Sequence, residues 1–382
     1  MPFRAPTRLT LAPGSLTRLP LTLEPHRRAL LVFDRGLGAT PWPQRAASLL
    51  EAAGLAVGTF DTVEPNPRDA TVEAIAEVAR TGSFEVVVGL GGGSVLDAAK
   101  AAAMLATNPG RLTDFEGRNR FGNPSLPFVA VPTTCGTGSE VTWVSVITVP
   151  ERRAKISVKG DGMYPREALV DADLIASLPR DQVAWTGLDA LTHALEATTC
   201  SCRNPASDAL AEKAITLLVG HLRRAVADIG SDAAAREAVM TGSTVAGLAF
   251  GSADVAAVHC LSETLGGFYD LPHGLLNATL LAPVLASHGE AVAGRLAELE
   301  AMLDPESGPL PVEEGSERFL RRVESLVADL GVPPLSTLGL RAEDLEEIAA
   351  RSVANGSNGS NPRPMGKEEY RQILDRLLFT PT

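Results

Sequence analysis

Glu85-Val86-Val87-Val88-Gly89-Leu90-Gly91-Gly92-Gly93-Ser94-Val95-Leu96-Asp97-Ala98-Ala99-Lys100 decides the fold. Glu85 to Leu90, with its three consecutive valines, reads as a strand buried on both faces, the mark of a parallel sheet. Three glycines and a serine follow, and Val95 to Leu105 has helical character. Glycines at such a turn let the backbone approach a ligand closely. The helix start also offers unpaired N–H groups and a positive dipole end to an anion. A pyrophosphate suits that place, and a bare strand-to-helix turn is the alternative. The spacing is not G-x-G-x-x-G, and the first βα turn, Asp34 to Thr40, has no glycine triplet.

Working outward, Ala29 to Phe33 is a strand-like run ending in Asp34, and Pro43 to Ala53 reads as a helix. Gly54 to Phe60 reads as a strand and Asp69 to Arg80 as a helix. Pro127 to Val131, Val144 to Val149 and Ala168 to Val170 are further strands. This alternation predicts an α/β domain with a parallel sheet covered on both faces. From about Arg180 the pattern becomes purely helical, as in Asp208 to Ile229 and Ala234 to Phe250. The boundary falls near Pro179 to Ala184, giving an expected α/β nucleotide-binding domain over 1–182 and an all-α domain over 183–382. Gly356 to Pro364 is a loop dense in glycine and proline, and Lys367 to Leu378 a last helix.

A chain of 382 residues with 45% hydrophobic content suits two packed domains. A net charge of −12 argues against nucleic acid or an anionic membrane surface as the partner. No apolar run has the length of a transmembrane helix, and Met1 to Thr10 lacks the pattern of a signal peptide. Cys135, Cys200, Cys202 and Cys260 are too few and too unevenly spaced for a disulfide scaffold, which points to a reducing cytoplasm.

Asp189 and His193 stand at i and i+4, so both side chains share one helix face. His259 and His273 follow in Val258-His259-Cys260 and Leu271-Pro272-His273-Gly274. Three imidazoles and a carboxylate form a set able to hold iron(II) or zinc with a position left for substrate. The remaining histidines, His26, His221 and His288, read as solvated. Glu263 follows His259 by four residues, on the same face of a short helix read as ending at Gly266-Gly267. It is either directed at the metal or a surface glutamate.

These blocks, in this order, resemble the iron-containing, group III alcohol dehydrogenases. The resemblance also covers Gly14-Ser15, Glu64-Pro65-Asn66-Pro67, Val131-Pro132-Thr133-Thr134, Gly136 to Thr142, Gly187 to Ala197, Gly266 to Gly274 and Asn361-Pro362-Arg363-Pro364. It implies a dehydroquinate synthase-like fold with a cleft between two domains. Asp189, His193, His259 and His273 would be the metal ligands, for iron(II) first and zinc or manganese otherwise. NAD would lie along Gly91, Gly92, Gly93 and Ser94, with Asp34 at the adenosine ribose and Asn66, Thr133, Thr134, Thr142 and Lys155 nearby. Asp97 would sit near the nicotinamide, and Phe250, Phe268, Trp143 and Ser357 would line the substrate pocket. Asp97, Lys155 and Glu263 are the expected catalytic residues, and a homodimer is the expected assembly.

Three positions depart from that pattern. Glu263 replaces a second histidine common in relatives, Cys135 replaces an alanine, and Asp254 replaces a small polar residue. The expected reaction is hydride transfer between NAD(H) and a small alcohol or aldehyde. A functionalised aldehyde such as phosphonoacetaldehyde is the alternative substrate. A lyase or cyclase on the same fold and a metal-free nucleotide binder are the rival functions.

Overall fold

The computed structural model describes residues 3–308 and 310–379. Its N-terminal part holds nine strands: β1 (Arg8–Leu11), β2 (Arg28–Asp34), β3 (Ala56–Val63), β4 (Val86–Gly91), β5 (Gly117–Arg118), β6 (Phe128–Pro132), β7 (Val144–Val149), β8 (Ala154–Lys159) and β9 (Glu167–Val170). Six of them form one sheet in the order β1-β9-β6-β4-β2-β3, and every pairing in it is parallel.

The valine run of β4 shows why. Val87 packs with Ile75 and Leu96, from the helices Asp69–Thr81 and Gly93–Leu105, on one face. Val86 and Val88 pack with Ala46 and Leu50, from the helix Trp42–Ala52, on the other. Successive side chains point to opposite faces, so a strand apolar at every position needs helices on both.

One strand joins a different sheet from the one expected. Val144–Val149 pairs antiparallel with β8, and β5 completes a three-stranded sheet. β8 was not legible as a strand, although Ala154-Lys155-Ile156-Ser157-Val158-Lys159 alternates with period two. Ile156 and Val158 enter the core beside the helix Gly93–Leu105, while Lys155, Ser157 and Lys159 line a cleft. The small sheet therefore forms a wall with one oily face and one chemically active face.

Beyond Val170 the described residues form helices and connecting turns, with no strand. The helix Arg180–Thr199 is the axis of this domain and is buried at every position from Gly187 to Thr199. The helices Pro205–Ala227, Ala233–Phe250 and His273–Ser287 surround it. Asn204 opens the first of these with its side chain on the amides of Ala206 and Ser207, and Pro205 stands at the first position.

Two readings need correction. The helix Ala257–Tyr269 does not stop at Gly266-Gly267. A Cβ on Gly267 would lie 2.8 Å from the Ala154 Cα, and one on Gly266 would lie 2.9 Å from the Lys155 Cε. The glycines are there because the helix rides directly on β8. His288, read as solvated, is instead buried at the end of His273–Ser287, and burial pushes its imidazole down to about 4.

A second seam joins the two parts. Asn66, with a positive φ of 52°, donates its side-chain amide to the Asp270 and Leu271 carbonyls at 3.2 Å each and to the Asp270 carboxylate at 3.0 Å. Arg68 adds a 2.8 Å contact to the same carboxylate. Gly267→Val should push the helix off β8 and destabilise the fold by roughly 1–3 kcal/mol, the usual cost of overpacking. A lowered urea midpoint at unchanged slope checks this, and a midpoint equal to the parent's would contradict the close contact.

Candidate metal and cofactor site

Three helices deliver the histidines and the aspartate. Asp189 and His193 lie one turn apart on Arg180–Thr199, His259 is in the first turn of Ala257–Tyr269, and His273 opens His273–Ser287 directly after Pro272. The Asp189 Oδ1 stands 4.0 Å from the His259 Nε2 and 3.8 Å from the His273 Nε2. The His193 and His259 Nε2 atoms face one another at 3.0 Å. Single donor atoms of Asp189, His193 and His259 all lie within 4.8 Å of one another.

This donor set fits a divalent ion. Burial holds the His193 imidazole down to about 4 and the His273 imidazole well below its usual range, so both present neutral nitrogens. Burial raises the Asp189 carboxyl, but the three imidazoles and the Asn277 amide overcome that and keep it ionised. Three imidazoles, two of them held neutral by burial, and one carboxylate oxygen suit iron(II) or zinc.

Two supporting residues escaped sequence reasoning. Glu196 accepts the His259 Nδ1 at 2.5 Å and the Ala256 and Val258 amides at 2.8 and 2.7 Å. One buried carboxylate thus orients the ring and holds the start of its helix. It raises the His259 pKa although burial opposes this. Asn277 places its amide 2.5 Å from the Asp189 Oδ1 and 3.1 Å from each of the His259 and His273 Nε2 atoms. Their spacing carried the signal: Glu196 follows His193 by three residues and Asn277 follows His273 by four, each on its partner's helix face.

The glycine turn lies across the cleft. Gly91 ends β4, Gly92 caps the helix Gly93–Leu105, and Gly93 and Ser94 line the cavity. A Cβ on Gly93 would fall 2.3 Å from the Thr137 Cγ2, so the turn can close only with glycine. Thr133 donates its amide to the Gly91 carbonyl at 3.0 Å, and Thr134 packs on Gly92. Thr142 lines the cavity, and its buried hydroxyl has no hydrogen-bond partner among the described residues. The crowded glycine cradle and the orphan hydroxyl fit a bound dinucleotide.

Asp97 has both oxygens engaged, one by the Ser139 hydroxyl at 2.6 Å and one by the Val146 amide at 2.9 Å. Lys100, also missed, donates to the Ser139 carbonyl and hydroxyl and the Val144 carbonyl at 2.8–2.9 Å, and so pins the loop before β7. Lys155 donates to the Asn66 Oδ1 at 2.8 Å, and burial lowers its pKa. Asp34 stands apart from the cavity lining. It ends β2 at the sheet's carboxyl edge and accepts the Leu37 amide at 2.8 Å, and its second oxygen has no hydrogen-bond partner among the described residues.

Glu263 faces the cleft and is not a surface residue; its Oε2 accepts the Asn355 amide at 2.7 Å. Phe250 and Ser357 line the same cavity, Phe250 stacking on His193 at 4.3 Å between centroids. Trp143 lines the cleft's outer chamber. Phe268 does not line the pocket: Arg153 and Arg351 stack on its ring at 4.4 and 4.8 Å, holding it outside.

A nucleotide-type glycine turn facing a His/Asp donor set across one cleft suits a metal-dependent dehydrogenase. Comparison with known proteins agrees. The profile described as "Iron-containing alcohol dehydrogenase" matches residues 6–172, and that of the "Fe-containing alcohol dehydrogenase family, C-terminal" matches 183–378. A 1,3-propanediol dehydrogenase of Citrobacter freundii is 37% identical over 351 residues, covering 91% of this chain and 90% of that one. The NAD-dependent methanol dehydrogenase of Bacillus methanolicus is 34% identical over 353 residues, 92% of each. The crystal structure of a 1,3-propanediol oxidoreductase superposes with a TM-score of 0.94 at 34% identity, over 98% of this chain and 99% of that one. The chain belongs to the iron-containing alcohol dehydrogenase family and is an oxidoreductase acting on CH–OH groups.

Glu196→Gln removes the charge behind His259 while keeping its shape. Metal affinity should fall ~10- to 100-fold, the usual effect of losing a ligand's outer partner. Metal retained after dialysis against a graded chelator measures this, and retention matching the parent's would remove the orienting role of Glu196.

Proposed function

We propose that the protein interconverts a small alcohol and its aldehyde with NAD(H) and a divalent metal, iron(II) first and zinc or manganese otherwise. One observation carries this reading. Gly93, Ser94 and Thr142 from the α/β side and His193, His259 and His273 from the helical side line one cavity. The divisions 1–182 and 183–382 would then be the cofactor-binding and metal-binding domains. A cytoplasmic homodimer is the proposed setting; among the described residues no helix is long and apolar enough to cross a membrane.

In this reading Asp189, His193, His259 and His273 hold the metal, which when bound supplies a Lewis acid to the substrate oxygen. Gly91 to Ser94 receive the pyrophosphate of NAD, which supplies or takes the hydride. Asp34 takes the adenosine ribose, with Thr133, Thr134 and Thr142 along the cofactor. Asp97 acts as a positioning residue, since both its oxygens already hold the loop around Ser139 and the start of β7. Asn66 and Lys155 form the bridge between cofactor and substrate. The Lys155 ammonium, weakened as an ion by burial, can lend or take back a proton at Nζ while Asn66 keeps it aimed. Phe250, stacked on His193, excludes water from the metal end. Glu263 borders the place of the substrate.

Purified protein loaded with iron(II), zinc or manganese should oxidise NADH with short aldehydes. His273→Ala should lower turnover by at least ~10²-fold while NAD binding persists. Near-parent turnover after that change, or after exhaustive chelation, would end the metal mechanism. The cofactor choice has its own test. Asp34→Gly removes a carboxylate that would face the 2′-phosphate, and like charges so placed cost more than about 1.4 kcal/mol. The NADP-to-NAD ratio of kcat/KM should therefore rise at least ~10-fold, and a parent enzyme that already prefers NADPH would refute the placement of Asp34.

A further inference from the structure

We infer that Lys100, buried behind the cleft, is a positioning residue that fixes Asp97 as a carboxylate by way of the Ser139 hydroxyl. The fixed charge favours the oxidised, cationic nicotinamide over the reduced one. This rests on the proposed use of NAD(H) and adds how the chain biases the bound couple.

Asp97 and Lys100 lie three residues apart on the helix Gly93–Leu105. Asp97 lines the cleft together with Gly93, Ser94 and the three histidines, whereas the Lys100 side chain is 1% exposed and stands behind it. The Lys100 Nζ has three partners: the Ser139 carbonyl at 2.8 Å, the Ser139 hydroxyl at 2.9 Å and the Val144 carbonyl at 2.8 Å. The two carbonyls can only accept. The Ser139 hydroxyl gives its one hydrogen to the Asp97 Oδ1 at 2.6 Å, so toward Lys100 it accepts as well. Three acceptors use all three hydrogens of an ammonium. The Val146 amide donates to the second Asp97 oxygen at 2.9 Å. Ammonium, hydroxyl and carboxylate therefore form one chain in which every hydrogen has its place.

The charges agree with that chain. Burial lowers Lys100 to about 8, which leaves it protonated at neutral pH. Burial also raises the Asp97 carboxyl, and Lys100 is the largest of the influences that oppose it. Two other charged groups act on the pair. Glu140, buried with its carboxylate on the Thr244 hydroxyl at 2.7 Å, supports the Lys100 ammonium, and Lys155 from β8 supports the Asp97 carboxylate. Without Lys100, Asp97 would be a buried acid with no cation behind it, and such an acid takes up a proton. A dinucleotide seated on Gly93 and Ser94 with its ring toward the histidines shares this cavity with Asp97. The oxidised ring carries a positive charge and the reduced ring none, so a carboxylate attracts only the first. The pair turns its negative end to the cleft and keeps its positive end back, so the two charges do not cancel there. Tighter binding of the oxidised form makes bound NADH the stronger hydride donor, by linkage.

The test measures the Kd of NAD+ and of NADH separately, by calorimetry, on the metal-loaded enzyme with no alcohol or aldehyde present. Asp97→Asn should raise the ratio of the NAD+ Kd to the NADH Kd ~10-fold, the scale of one unit charge in a partly buried site. Lys100→Met should raise the same ratio by ~3-fold or more, because Asp97 then takes up a proton and the charge facing the cleft is lost. A merely structural role would weaken both forms alike, and a ratio left in place by both variants overturns the inference. A ratio that falls in Lys100→Met means that Asp97 stays ionised unaided, which also overturns it. A ratio unmoved by Asp97→Asn alone overturns it as well, since the pair is then neutral. Should Lys100→Met not fold, Ser139→Ala cuts the link between the two charges and should raise the ratio too, and no rise there counts against the inference in the same way. All these outcomes leave the NAD(H)-dependent reading intact. Binding of neither dinucleotide to the parent would end the proposed function and this inference with it.

Discussion

The burial of Asp189 is the constraint on which the helical domain is built. Its side chain is 1% exposed in the middle of a helix that is itself wrapped by others. A carboxylate in that position is very costly unless it is paired and hydrogen-bonded. Asn277 and the three imidazoles meet the requirement: His193 comes from the same helix, and His259, His273 and Asn277 come from two others. The start points of Ala257–Tyr269 and His273–Ser287 bring their first turns to one carboxylate. Glu196 repeats the logic one layer out: a second buried carboxylate, satisfied by one ring nitrogen and two backbone amides.

The α/β domain meets a different demand. Because every pairing in its main sheet is parallel, the carboxyl ends of β2, β4 and β6 share one edge. Asp34, Gly91 and Thr133 therefore assemble at that edge although nearly a hundred residues of chain separate the first from the last. Ligands of open parallel sheets bind outside this edge, where the loops diverge. The glycine turn sits between the other two, so the helix it opens points its amide end into the cleft.

Much of this was legible in the sequence. A short valine run between turn residues reads as a strand with two covered faces, and an aspartate and histidine four apart on a helix share one face. Pairing partners were harder, because period-two alternation does not say which strand lies alongside. Val144–Val149 was therefore visible as a strand but not as the neighbour of β8. Gly266-Gly267 misled for a related reason: a glycine pair that ends a helix and one that admits a neighbouring backbone look identical until the neighbour is known. Glu196 was hidden because a glutamate on a helix usually faces water. His288 was hidden because nothing local reveals that Glu196 and Arg363, far away in sequence, come to stand near its buried ring.

The seam between the domains is where the two demands are reconciled. Hydride transfer requires the cofactor ring and the metal-held carbon to meet at close range, and a small displacement is expensive in rate. Under the proposed function neither domain can set that distance alone, since one would hold the dinucleotide and the other the metal. Lys155 and Asn66 belong to the α/β domain, yet Asn66 is bonded to Asp270 and Leu271, which stand between the helices of His259 and His273. Gly266 and Gly267 let the His259 helix lie against β8 itself. The same strand that carries Lys155 is thus clamped to the helix that carries a metal ligand. Relative motion of the domains must break these contacts, which makes the closeness of the two half-sites a property of packing and not of either bound group.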